Sequence, residues 1–340
     1  MKDSKIIDVA REAQVSVATV SRVLNDSRHV SPSTKAKVLK AIEYMNFTPN
    51  ASAKNLRSQK TRTIGVVVSD IHSSYFAEIV KGIENMANAL KYKIIICDTQ
   101  NEKEKELEFM SLAMNRTVDG IIFVSPVISN RDIAAFCERG YSAAVIGRHV
   151  EHPDIPCAYT DNVKLAREVM QHLLEMGHRR IAFISGYADA IDSYERLEGY
   201  LKALRDAELP FVPDLVENGD FNETEGYLAF KRLWEKNPDM TAVFAANDEM
   251  ALGVFKACRE LGIPVPGRLA VVGVDNNRVT KYTSPTLSTV DQPNYAMGAL
   301  LVEKFIDQMN DNDFIDKRVF KVDSKLKIRE SSDFRLNRET

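Results

Sequence analysis

Residues 63–70 read TIGVVVSD, a β-branched run that stops at a serine and an aspartate. The run does not alternate with polar residues, so it is not a strand with one wet face. It suits the middle of a parallel sheet covered by helices on both sides. The same signature returns downstream in KIIICDT (93–99), DGIIFVS (119–125) and AAVIGR (143–148). A second series follows in RIAFISG (180–186), TAVFAAND (241–248) and LAVVGVDN (269–276). Helical stretches separate the runs, among them 77–90, a charged segment near 102–114, and 133–138. Two series of alternating strands and helices predict two doubly wound α/β subdomains. Ligands of such sheets sit at the carboxyl ends of the strands, where this chain places Asp70, Arg148, Asn247 and Asp275.

Before residue 61 the pattern changes. Ile6, Val9, Ala10 and Ala13 share one helical face, and Ser16 is a suitable N-cap for a second helix that buries Val20, Val23 and Leu24. A third helix opens on Ser31-Pro32, with Val38, Leu39, Ile42 and Met45 as its expected apolar stripe. The turn between the first two helices is short enough for a helix-turn-helix. Charge is divided in the same way. Residues 1–60 carry eleven Lys and Arg against five Asp and Glu, or +6, whereas the remainder carries −9. A basic head on an acidic body points to a polyanionic partner for the head.

A helix-turn-helix lays its second helix in the DNA major groove, N-terminal residues against base edges. In VSVATVSRVLND (15–26) those residues are Val17 and Ala18. Ser16, Thr19, Ser21 and Asn25 are short donors suited to phosphates, and Arg22 reaches either a guanine edge or a phosphate. His29, Ser31, Thr34, Asn50 and Ala53 complete the expected DNA-contact set. From Asn50 to Leu56 a helix of about seven residues is predicted, too short to be stable without a partner.

Other classes fit poorly. The composition, 44% hydrophobic and 27% charged, is that of a globular chain of two or three domains. No phosphate-binding glycine loop or G-x-S-x-G elbow occurs, and the six histidines have no metal-ligand spacing, so an enzyme is not expected. Cys97, Cys137, Cys157 and Cys258 are widely spaced and read as reduced thiols. The chain opens without a secretory leader and contains no membrane-length apolar run, which gives the expectation of a cytoplasmic protein with no membrane partner.

Several segments in order carry a more specific signal. IIDVAREAQVSVATVSRVLNDSRHVSPSTKAKVLKAIEYMNFTPNASAKNLRS resembles the headpiece and hinge of the LacI/GalR family of bacterial transcriptional regulators. TRTIGVVVSDIHSSYFAEIVKGIE, EMGHRRIAFISG, AANDEMALGV and VVGVDNNRVTKYTSPTLSTVDQP resemble its effector core, with texture most similar to the catabolite control protein A branch. One departure falls in the turn, where Gln14 stands in place of the glycine of many relatives. A left-handed backbone there would cost about 1 kcal/mol.

The resemblance implies a helix-turn-helix headpiece (1–48), a hinge (49–60) and a periplasmic-binding-protein-like core (61–340). In that core an N-subdomain of 61–161 plus 292–322 faces a C-subdomain of 162–291 plus 323–340. It implies a sequence-specific regulator, usually a repressor, acting as a homodimer on double-stranded operator DNA. Leu56 would wedge into the minor groove, the alternative being that it closes the short helix against its own domain. A small effector, a sugar or sugar derivative, would bind between the lobes at Tyr75, Phe76, Arg148, Arg196, Phe221, Asn247 and Asp275, with no other cofactor. Packing roles for Phe76 and Phe221, a surface ion pair of Arg196 with Glu195 or Asp192, and turn capping by Asp275 are the alternatives. Ala190 and Asp192 occupy the variable part of the effector loop. The branch texture raises a second controlling partner, a phosphorylated carrier protein. A solute-binding receptor shares the two-lobed core but needs a leader and no basic head.

Overall fold

The computed structural model describes residues 5–24, 29–47, 60–310, 318–333 and 335–336. It comprises two units, Met1–Thr61 and Arg62–Thr340. Asn25, Asn50, Ala53 and Leu56 lie outside the described residues.

The first unit holds three helices, α1 (Ile6–Glu12), α2 (Val17–Leu24) and α3 (Pro32–Tyr44). Its core is small: Val9, Ala10 and Ala13 meet Val20, Val23, Val38 and Ala41. Ser31 caps α3 by accepting the Thr34 N–H at 3.2 Å, with Pro32 at the first helical position. Leu39 is half exposed, contrary to the expected stripe. At 100° per residue, positions 38, 41, 42 and 45 share a face and 39 falls outside it. Gln14 has φ +53°, so the turn between α1 and α2 is left-handed at a residue with a side chain.

The second unit contains two sheets. Strands β1 (Thr63–Val68), β2 (Lys93–Asp98), β3 (Gly120–Val124), β4 (Ala143–Ile146) and β5 (Cys157–Thr160) build the N-lobe. The C-lobe uses β6 (Ile181–Ser185), β7 (Val216–Asn218), β8 (Ala242–Ala245), β9 (Ala270–Val274) and β10 (Ser288–Asp291). The chain then returns: β11 (Val319–Val322) joins the N-lobe sheet and β12 (Lys325–Lys327) the C-lobe sheet. Strand orders are β11-β5-β4-β3-β1-β2 and β12-β10-β9-β8-β6-β7. Every pairing is parallel except β10 with β12. The chain therefore crosses between lobes three times, after β5, after β10 and after β11. Both sheets are buried on two faces, as the unbroken apolar runs require.

The N-lobe helices are α4 (Ser74–Ala89), α5 (Lys103–Phe109), α6 (Ser111–Met114) and α7 (Asn130–Glu138). The C-lobe has α8 (Asn162–Glu175), α9 (Ile191–Asp206), α10 (Glu223–Lys236) and α11 (Asp248–Leu261), and α12 (Asn294–Met309) returns to the N-lobe. The charged segment near 102–114 is thus two helices rather than one. The α4–α12 pair packs backbone to backbone. A methyl group added at Gly82 would sit 2.0 Å from the Tyr295 carbonyl oxygen, and one at Gly298 would sit 2.3 Å from that of Ile79. Any residue but glycine there would push the two helices apart.

Candidate functional site

The first recognition surface is the exposed start of α2. Val17 is 41% exposed beside exposed Ser16 and Ala18, while Val20 and Val23 on the other face are buried. Ser16 Oγ accepts the Thr19 N–H at 3.1 Å and lies 2.9 Å from Thr19 Oγ1. Ser31 and Thr34 repeat the arrangement, their hydroxyls 2.8 Å apart. The Ser16–Thr19 pair uses one of its two hydroxyl protons internally, whereas Ser31 Oγ also lies 3.1 Å from Ser33 Oγ. Thr19, Ser21 and Thr34 are half-buried; Arg22, His29 and Ser31 are exposed. Arg22 has no acidic partner among the described residues, and the first turn of α2 carries no acid. This surface combines apolar tips with short donors and the exposed Arg22 guanidinium.

The second is a cavity of about 310 Å³ between the lobes, at the lower end of ordinary small-molecule sites (roughly 300–1,000 Å³). Loops after β1, β2 and β3 contribute Asp70, Asn101 and Ser125. Those after β6, β7, β8 and β9 contribute Tyr187, Phe221, Asn247 and Asp275, all at carboxyl ends of strands. Tyr75 and Phe76, an edge-to-face pair 5.0 Å apart, enter from the first turn of α4. The Tyr75 hydroxyl lies 3.3 Å from Ser125 Oγ, and burial pushes its pKa well above that of a free phenol.

The C-lobe side carries the charge. Arg196 is only 3% exposed, which removes the surface ion pair as a description of it. Its Nε donates to Asn162 Oδ1 at 2.9 Å, its Nη1 donates to the Ala246 carbonyl, and the guanidinium lies over the Phe221 ring at 5.9 Å. Nη2 has no partner among the described residues. Phe221 covers Gly186 so closely that a methyl group there would overlap the ring at 2.0 Å. Asn247 caps α11 through the Met250 N–H and donates to the Phe221 carbonyl at 2.9 Å, so it fixes the loop that presents the ring.

Asp275 follows β9 with φ +110° and is 8% exposed. Its Oδ1 accepts Gln292 Nε2 at 2.8 Å. Burial raises its pKa to about 7, with Arg196 and the Gln292 bond working against the shift and Asp192 and Glu249 reinforcing it. Behind it, fully buried Asp248 is also driven well above the carboxylate range by burial and then by Asp275. Arg196 and Asp275 make no direct ion pair, which leaves room for a polar ligand between them. Each is bonded to a residue of a lobe crossing: Asn162 follows β5, and Gln292 follows β10.

Six of the seven expected effector residues line this cavity; Arg148 does not. Its guanidinium turns to the Pro126 carbonyl at 2.9 Å and to the Ile128 carbonyl. The buried Glu106 carboxylate accepts the Val127 N–H at 3.0 Å and the Ile128 N–H at 2.9 Å from the same loop. Arg148 is therefore a brace for the loop that brings Ser125 and Val127 to the cavity. Sequence reasoning missed Glu106, which sits in a helix rich in exposed charge. It also missed Tyr187, Asp189, Asn218 and Asp220.

Elsewhere the described residues contain no cluster of His, Cys, Asp or Glu able to hold a metal ion. No helix among them is long and apolar enough to cross a membrane. The four cysteines are free, and burial raises their thiols, Cys97 and Cys157 to about 11 and Cys258 to about 12.

A helix-turn-helix unit and a two-lobed core with a ligand-sized cleft define a class, the ligand-responsive DNA-binding regulators. Residues 5–50 match the family model for bacterial regulatory proteins of the lacI family, and residues 170–332 match that for a periplasmic binding protein-like domain. The chain is 36% identical to catabolite control protein A of Priestia megaterium, over 96% of this chain and 98% of that one. It is 33% identical to the HTH-type transcriptional repressor PurR of Aliivibrio fischeri strain ES114, over 97% and 99%. A lac repressor dimer bound to operator and the anti-inducer ONPF superposes with TM-score 0.88 at 25% identity, covering 97% of this chain and 99% of that one. A complex of the transcriptional regulator CelR with cellobiose superposes with TM-score 0.72 at 30% identity, covering 96% and 99%. The chain belongs to the LacI family of DNA-binding transcriptional regulators.

Proposed function

We propose that this regulator is a repressor that works in the cytoplasm as a homodimer on a two-fold operator. Its DNA affinity is set by a small hydroxylated effector, a sugar or sugar derivative, held between the lobes. The observation that carries the effector half is the pair of buried, opposite charges, Arg196 and Asp275, that face one cavity without closing on each other. A carboxylate accepts two hydroxyl protons, a guanidinium edge orients an oxygen, and Phe221 and Phe76 cover the apolar face of a ring. Similarity to a regulator solved with cellobiose supports the ligand class. Three crossings let the lobes change their mutual angle, and occupancy of the cleft biases that angle. Coupling of this kind between two sites is worth about 1–3 kcal/mol. No catalytic step is involved.

Selection of bound DNA from a random pool, with and without candidate sugars, tests the proposal. A palindromic site whose occupancy shifts with a sugar is expected, with one guanine per half-site read by Arg22. A site without two-fold symmetry, or one unchanged by Arg22→Ala, overturns the DNA half. Similarity to proteins named catabolite control protein A supports a second reading, control by a phosphorylated carrier protein. Titrating the protein–operator complex separately with sugars and with the phosphocarrier separates the two.

A further inference from the structure

The cavity is lopsided in charge. Asp70, Asp189, Asp192, Asp220 and Asp275 line it, against Arg196 as the one cation among its described lining residues. Two of the carboxylates have local partners: Asp70 meets His72 Nδ1 at 3.1 Å, and Asp220 accepts Asn218 Nδ2 at 2.9 Å. Asp189 and Asp192 have none among the described residues, and Asp275 uses only Oδ1. Asp192 stands in the first turn of α9, one helical turn before Arg196. It lines the same cavity as Tyr75 of the opposite lobe and Asp275 of its own.

Arg196 attracts Asp275 but is one cation among five lining carboxyl groups. Two of its nitrogens are bonded to Asn162 and Ala246, and it forms no ion pair among the described residues. A negatively charged ligand would gain one guanidinium and meet four carboxylates besides the partly protonated Asp275. A neutral polyol would satisfy hydrogen bonds but leave the repulsion between Asp192 and Asp275 in place. A ligand cation relieves that repulsion, and the cavity is also lined by Tyr75, Phe76, Tyr187 and Phe221, whose ring faces attract cations.

We propose that the cleft is built for a hydroxylated ring compound bearing a protonated amine, an amino sugar in chemical class. Asp192 accepts the ammonium, and Asp275 and Arg196 hold hydroxyls. This rests on the small-effector reading above and narrows it. Sequence alone gives no such preference, because the five carboxyl groups come from four separate strand ends, after β1, β6, β7 and β9.

Calorimetric titration of the full chain with matched probes tests it: glucosamine against glucose, galactosamine against galactose, and fully deacetylated chitobiose against cellobiose, with glucose 6-phosphate as the anion. At least one amine-bearing probe is expected to bind about tenfold more tightly than its neutral match, with no binding of the phosphate. Asp192→Asn should bring that pair to within about threefold, and Asp192→Glu should restore the preference and report that the fold is intact. Equal or tighter binding of the neutral or anionic probes overturns the proposal, as does a preference that survives Asp192→Asn or an absence of binding by every amine. A neutral sugar that binds wild type but not Arg196→Met would remove the amine and leave the effector cleft standing. Failure of every sugar, with operator affinity unmoved, would remove both.

Discussion

The two lobes share a fold and divide the work of recognition unequally. Each has six strands in the same spatial order, yet the N-lobe offers the cavity mainly hydroxyls and rings, from Ser69, Ser73, Tyr75, Phe76 and Ser125. The C-lobe offers the buried charges, Arg196 and Asp275, already oriented by bonds to Asn162, Ala246 and Gln292. Orientation before binding lowers the entropy lost when a ligand is gripped. The lobe with the buried, pre-oriented charges is thus the one prepared to select, while rings come equally from both sides, Tyr75 and Phe76 from the N-lobe and Tyr187 and Phe221 from the C-lobe. Duplicated architecture does not imply duplicated chemistry.

The strongest way to break this division is to remove the charges. Arg196→Met and Asp275→Ala should each abolish the effector response, a loss of about 2–5 kcal/mol, while operator affinity without effector stays within a few-fold. Operator binding with and without effector measures it; an undiminished response in both variants would end the assignment of the C-lobe as selector. Titration sharpens the same point. A carboxyl near pKa 4 when unfolded and about 7 when folded is stabilising below pH 4, and this contribution is lost as pH rises to 7, because the folded state holds a proton the unfolded state releases. Wild type should therefore lose stability relative to Asp275→Asn between pH 4 and 7, by up to about 1.4 kcal/mol per pH unit, and the difference should level off above 7. Thermal unfolding of both proteins across that range checks the sign.

Smaller effects should follow from the crossings. Asn162→Ala and Gln292→Ala leave both charges in place but detach them from the segments between lobes. Effector affinity should fall only a few-fold, while the effector's influence on operator binding drops by most of the roughly 1–3 kcal/mol of coupling. Parallel titrations of effector and operator separate the two quantities. The smallest change is expected on the N-lobe side. Arg148→Met frees two loop carbonyls, costing about 1–3 kcal/mol of stability, with effector affinity far less affected than in Arg196→Met. Chemical denaturation beside effector titration tests it.

Much of this was legible in the residues. Seven strands in the two series announce themselves by unbroken apolar runs, and Ser16 and Ser31-Pro32 announce the starts of α2 and α3 by capping chemistry. What the sequence hid was short or non-local. Strands β5, β7, β10, β11 and β12 are three or four residues long and interrupted by polar residues, so they show no unbroken apolar run, and their pairings bring together residues as distant as Cys157 and Val319. Missing β7 meant missing Asn218 and Asp220 at its end. Arg148 stood at the end of a strand run, where a ligand contact is the natural reading; the loop carbonyls that claim it come near only in the folded chain. Glu106 gave no signal, since a buried carboxylate among exposed glutamates follows the same helical spacing.

The return of the chain through α12 and β11 sets an order of assembly. Helix α4 is made early, but the surface it packs against, from Tyr295 to Ala299, is made only after every parallel strand of the C-lobe. During synthesis the C-lobe strands emerge while the first lobe still lacks an edge strand and a covering helix, so the second lobe to be made is the first able to gather its parallel strands. The close backbone contact at Gly82 and Gly298 then acts as a late fastening, and until it forms the nascent chain carries an open apolar groove of the kind that chaperones recognise.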